Sequence, residues 1–192
     1  KSEKGGYLSL TSGSGAHSGN VLIRGGEASA GSGGAVDIEA GDGTHGTGGA
    51  INIAAGATSG DGHAAGVASF IGGQGITGAN GGDTIVSGGS SDSAKGGNVE
   101  ISSGASRTSA SGTVTISSPS VATNSGEVKI STGATGMGEP GMISIDAGST
   151  DSLDTQAGSV AISAGSGTFG GSVSLSAGIN VASDNTAGAL SL

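Results

Sequence analysis

His17 and His45 occupy the same place in two otherwise similar stretches, nine residues after Leu8 and Val36. On adjacent courses of a repeating fold, two such imidazoles could share a proton or a metal ion. His63 breaks that register by falling twelve residues after Ile51, and the chain has no cysteine and no HxH or HExxH arrangement. The histidines therefore read as exposed turn residues rather than as ligands.

The carboxylates Asp37, Glu39, Asp42, Asp61, Asp83, Glu100, Asp146, Asp151 and Asp154 raise two other chemistries, calcium binding and the clustered acids of a polysaccharide lyase. A glycosidase needs two carboxyl groups at a defined separation across a cleft. A calcium-binding β-roll needs dense Gly-Gly-x-Gly-x-Asp nonapeptides, of which GGDTIVSGG at 81–89 is only a fragment. Solvated surface charge is the reading that remains. GGQGITG at 72–78 lacks the Lys-Ser/Thr and the following helix of a phosphate loop, and SGSGA at 12–16 is turn composition rather than a nucleophile elbow. No catalytic, cofactor-binding or metal-binding residue is nominated, no cofactor is expected, and the chain does not read as an enzyme.

The elements that carry these residues follow from composition. Glycine supplies 44 of 192 residues, and Tyr7, Phe70 and Phe169 are the only aromatic residues, so a core of large side chains is not available. The formal charge of -9 opposes attraction to nucleic acid and to anionic membrane surfaces. No apolar run is long enough to span a bilayer, so membrane insertion is not expected. The chain opens at Lys1 rather than Met, which points to a processed chain or a segment of something longer.

One unit recurs throughout: Gly, any residue, an apolar residue, any residue, a second apolar residue, any residue, Ala or Ser, then usually Gly. The copies are GYLSLTSG, GNVLIRGG, GAVDIEAG, GAINIAAG, GVASFIGG, GDTIVSGG, GNVEISSG, GTVTISSP, GEVKISTG, GMISIDAG, GSVAISAG, GSVSLSAG and GALSL. Their mean spacing is about fifteen residues. Val36, Ile38 and Ala40 alternate with Asp37 and Glu39, the period of a strand, and the β-branched residues favour that conformation. Helix is excluded because no copy sustains apolar residues three and four apart.

These signals predict an all-β fold: a right-handed parallel β-solenoid, or β-helix, of thirteen short strand repeats, forming one domain over residues 1–192. A thirty-residue coil of two strands is preferred over a fifteen-residue coil, because two copies could then bury Val and Ile against Val and Ile. In that register Glu100 lies beside Lys129 on the neighbouring coil, and Ser12, Ser103, Ser118 and Thr132 face inward and exchange hydroxyl hydrogen bonds. Pro119 and Pro140 mark corners where the ladder demands no donor.

Through units such as GAVDIEAG and GNVEISSG, the chain resembles the Gly/Ser-rich parallel β-solenoids of surface adhesins and extracellular fibrous appendages. That resemblance implies extracellular or cell-surface placement and structural or adhesive work. Both the opening GGYLSL and the closing GALSL lie inside the repeat grammar, with no capping element. Bare solenoid ends invite another chain, so end-to-end self-association, or continuation into further solenoid repeats, is expected. The expectation is a structural subunit or segment of a filament, surface appendage or sheath, with glycans or other surface components as further partners. A carbohydrate-binding or adhesin-type solenoid is the alternative, ahead of a polysaccharide lyase or an ice-binding protein.

Overall fold

The computed structural model describes residues 5–60, 62–179 and 188–191. Among these there is no helix and no strand. The predicted β-solenoid is therefore corrected: among the described residues no parallel β-helix forms and no ladder joins one copy to the next, and the fold there is loop-rich and irregular. The thirty-residue coil that placed Glu100 beside Lys129 goes with it.

The physical reason lies in how little each copy has to bury. A fully buried Val or Ile contributes about 1.5–3 kcal/mol. Fixing the backbone costs on the order of 1–2 kcal/mol for every residue. Two such side chains per fifteen residues, flanked by Gly, Ser and Ala, cannot hold a coil closed. No residue among those described is buried, hydrophobic or polar. The accessible surface is 18763 Å² for 17.4 kDa, where a folded monomer of that mass exposes about 7,900 Å².

What the fifteen-residue rhythm does set is a rhythm of bends. They fall at 15–17, 29–31, 44–46, 60 and 62, 77–78, 92–94, 107–109, 122–123, 136–138, 153–155 and 167–169, one in each Gly/Ser/Thr-rich arc between apolar pairs except the last, between Gly178 and Gly188, most of which lies outside the described residues. Asp61 lies outside the described residues.

By backbone proximity the chain divides into two units, Lys1–Val99 and Glu100–Leu192. In the first, the arcs are pinched shut by one backbone hydrogen bond each. The amide of the glycine that opens a copy donates to the carbonyl of the glycine that closed the copy before. The pairs are Gly19 to Gly13, Gly34 to Gly26, Gly49 to Gly41, Gly66 to Gly56, Gly82 to Gly73 and Gly97 to Gly89, with N···O distances of 2.8–2.9 Å. Each arc thus resembles a small Ω-loop whose ends meet.

The second unit repeats the device with Gly112 to Gly104, Gly158 to Gly148, Gly171 to Gly165 and Gly188 to Gly178, at 2.8–3.1 Å. Its two remaining arcs, 119–126 and 133–141, bend at 122–123 and 136–138 but lack the bond. These are the arcs that carry Pro119 and Pro140. Pro119 takes the place of the accepting glycine, and Pro140 immediately precedes the donor Gly141. Proline locks its own φ and restricts the residue before it, so neither arc reaches the closed geometry.

Glycine is required where the clamp is tightest. A Cβ on Gly25 would collide with the carbonyl oxygen of Gly34. A different demand falls on the arc 73–82, where Thr77 has φ 55 and Gly78 φ 80. Two successive positive φ values, with Ala79 N donating to Ile76 O at 3.4 Å, make a turn of type I′ character. Thr77 is the one non-glycine in the left-handed region among the described residues, and a β-branched side chain is poorly suited to it.

Candidate functional site

The apolar pairs of the copies are the most repeated chemical feature of the surface. Their exposure follows a fixed pattern: Val36 is 48% exposed and Ile38 68%, and in the second unit Val114 is 48% and Ile116 69%. In most copies the first residue of a pair is about half exposed and the second more so; the first copy reverses this order, with Leu8 84% and Leu10 66% exposed. The slight additional cover that exists falls mostly at the bases of arcs: Gly25, Ala40, Gly72 and Ser118, each just before the residue that closes a copy, are not fully exposed, and neither is Gly75 within its arc. The sequence places small residues there because the two ends of an arc must approach one another. Sequence reasoning missed this clamp, although its signal was present in the glycines that flank nearly every arc.

Hydroxyl groups support the bends rather than a reactive centre. Ser12 Oγ donates to Gly19 O at 2.8 Å and doubles that clamp, so it bonds within its own arc instead of to a stacked hydroxyl. Ser91 and Ser106, fifteen residues apart, accept from Ala94 N and Ser109 N, each at 3.0 Å, in the same place of successive arcs. This is the side-chain mimicry of a turn that serine favours. Thr135 Oγ1 donates to Gly138 O at 2.9 Å, and Ser144 Oγ donates to Asp146 Oδ2. Ser103 and Thr132 are exposed beside their arcs, and Ser118 is half-covered.

The residues considered for chemistry are not brought together. His17 lies in the bend at 15–17 and His45 in the bend at 44–46, both exposed. His45 Nδ1 lies 3.2 Å from its neighbour Thr44 Oγ1. His63 uses its backbone, donating N–H to Gly60 O at 3.3 Å. Asp37, Glu39, Asp42, Asp83, Glu100, Asp146, Asp151 and Asp154 are all exposed. Among the described residues, no three acidic or imidazole groups lie close enough to hold a metal ion, and the surface has no cavity. Tyr7 and Phe169 stand almost fully in solvent, and no groove forms around Phe70. No described helix is long and apolar enough to cross a membrane.

No family model matches the chain, and no curated protein or solved structure matches it. The site is therefore read from its own geometry: evenly repeated half-exposed apolar pairs, separated by hydrated arcs that are pinched at their base.

Proposed function

We propose that the chain is a structural subunit or segment of an extracellular filament, surface appendage or sheath, built by association of like chains through their apolar pairs. The observation that carries this reading is the exposure of Val and Ile at the same two positions of copy after copy. Apolar rows of this extent on a soluble surface mark association sites. The solenoid stacking expected from the sequence is not part of the proposal. Association rests instead on side chains that a single chain leaves uncovered.

A second copy is the partner whose apolar spacing matches by construction, because it carries the same intervals. The surface in excess of a folded monomer, on the order of 10,000 Å², far exceeds the roughly 1,600 Å² of a standard interface. Dispersed carboxylates oppose close approach of two chains of charge -9, and salt screens exposed charges beyond about 8 Å at physiological ionic strength. Added salt should therefore promote assembly. The Gly/Ser/Thr arcs supply a polar surface to the outside, which suits an extracellular setting.

Electron microscopy and sedimentation of the purified chain test the proposal. Assemblies that grow with concentration and salt are expected. The double substitution Ile38→Asp and Ile53→Asp should abolish them, since each buried isoleucine is worth about 1.5–3 kcal/mol per copy in the contact. Strictly monomeric particles at high concentration and high salt would sink the idea.

A further inference from the structure

We propose that Asn80–Gly81 is a self-modifying site, at which the backbone nitrogen of Gly81 displaces ammonia from the Asn80 carboxamide and hydrolysis leaves residue 80 with a free carboxylate. Of the described asparagines, Asn20, Asn52, Asn98 and Asn124 precede Val, Ile, Val and Ser, whose side chains obstruct attack by the following amide. Asn80 alone precedes glycine. The arc around it leaves the pair free to react. Both residues are exposed. Backbone bonds fix the positions on either side, Ala79 N to Ile76 O at 3.4 Å and Gly82 N to Gly73 O at 2.8 Å, while the Gly81 N–H donates to no backbone carbonyl. No side-chain atom lies within 4 Å of the position a Cβ would take on Gly81, where the Gly73 carbonyl oxygen at 3.6 Å is the neighbour, while Gly75 approaches the Asn80 main-chain carbonyl. Nucleophile and electrophile are thus adjacent, solvated and unengaged, and glycine permits the backbone rotation that brings them together.

The step balances without a co-reactant other than water. The Gly81 nitrogen, having given its proton to solvent, forms a bond to Asn80 Cγ; the Cγ–N bond of the carboxamide breaks, and ammonia leaves with a proton from water. The resulting five-membered imide is opened by water at one of its two carbonyls. Opening at the backbone carbonyl leaves the main chain running through Cγ, lengthened by one carbon atom; opening at Cγ restores the normal backbone. Either route adds one negative charge, and the first also changes the chain length between the turn and the clamp.

The test is timed incubation of the full chain at mildly acidic and mildly alkaline pH, read by anion-exchange chromatography and peptide mass mapping. An acidic species one charge more negative should accumulate faster at alkaline pH and map to residue 80. Its isoaspartyl fraction should lose protection of the Gly82 amide from hydrogen exchange. Asn80→Gln should lose the species, and Gly81→Ala should slow it. A synthetic peptide of residues 74–84 sets the rate for an unrestrained chain. Conversion at a comparable rate in the full chain supports the proposal. An acidic species that persists in Asn80→Gln, or a full chain that stays unmodified while the peptide converts, would overturn it.

Discussion

The two units use the same grammar and differ in how consistently they close it. In Lys1–Val99, six successive arcs from Gly13 to Gly97 are clamped by a Gly–Gly bond; in Glu100–Leu192, the arcs at 119–126 and 133–141 are not. All of these arcs bend. The difference separates two causes that the sequence presents together. Bending follows from small polar residues and their hydroxyl-to-backbone bonds, which Thr135 supplies in the arc of Pro140 without a clamp. Closure needs a carbonyl and an amide on freely rotating glycines at the base, and it is missing where proline replaces the acceptor, as at Pro119, or precedes the donor, as at Pro140.

Two kinds of clamp occur, and only the first unit has both. Gly25, Gly72 and Gly88, all in the first unit, precede their accepting glycine and are crossed so closely by the opposite strand of the arc that no Cβ fits. The clamped arcs of the second unit have Ser103, Ala147, Ala164 and Ala177 at that position, as three arcs of the first unit have Ser12, Ala40 and Ala55, and their methylene or methyl groups lie against the donor glycine instead.

The largest effect that sharpens this contrast is expected at Gly25. Gly25→Val should expel the Gly34 carbonyl and open the arc, whereas Ala147→Val should leave the Gly158 bond in place. Amide hydrogen exchange reads both. With a net bond worth about 0.5–1.5 kcal/mol, exchange at Gly34 should rise by up to roughly tenfold and exchange at Gly158 should hold. Equal acceleration at the two sites would erase the distinction between the clamps.

A somewhat smaller change is expected at Thr77. Thr77→Gly relieves a left-handed β-branched residue, a strain on the order of 1 kcal/mol partly offset by the greater freedom of glycine in the open chain. Protection of the Gly82 amide should increase a few-fold, and Thr77→Val should not reproduce the gain. The smallest effect is the attempt to make the second unit resemble the first. Pro119→Gly and Pro140→Gly should bring modest protection to the Gly126 and Gly141 amides, within about 1 kcal/mol. Should both amides exchange as fast as before, the prolines are not what keeps these arcs open.

How much of this was legible beforehand can be judged at residues 33–56. The pair spacing of Val36, Ile38, Ile51 and Ile53, the turn character of GDGTHGTG and the exposure of Asp37, Glu39 and His45 could be read directly, because each depends on neighbours in sequence. Whether one pair finds another could not. Every copy carries the same letters, so pattern alone does not say which copies meet, and alternation records a preference for strand conformation without supplying a partner. The solenoid was inferred by assuming that burial would decide, yet the small residues around each pair leave too little to bury. The clamp escaped notice because glycine was read as a permission to turn rather than as a donor and acceptor in its own right.

The Gly41–Gly49 bond has a mechanical consequence. It holds two points of the chain 2.9 Å apart, donor to acceptor, across an arc whose backbone can extend by roughly 25 Å at about 3.3 Å per residue. A pull on the chain that breaks this one bond therefore pays out slack before it loads any covalent link. Repeated along the sequence, the clamps give each arc a reserve of length that is spent bond by bond and recovered when tension falls.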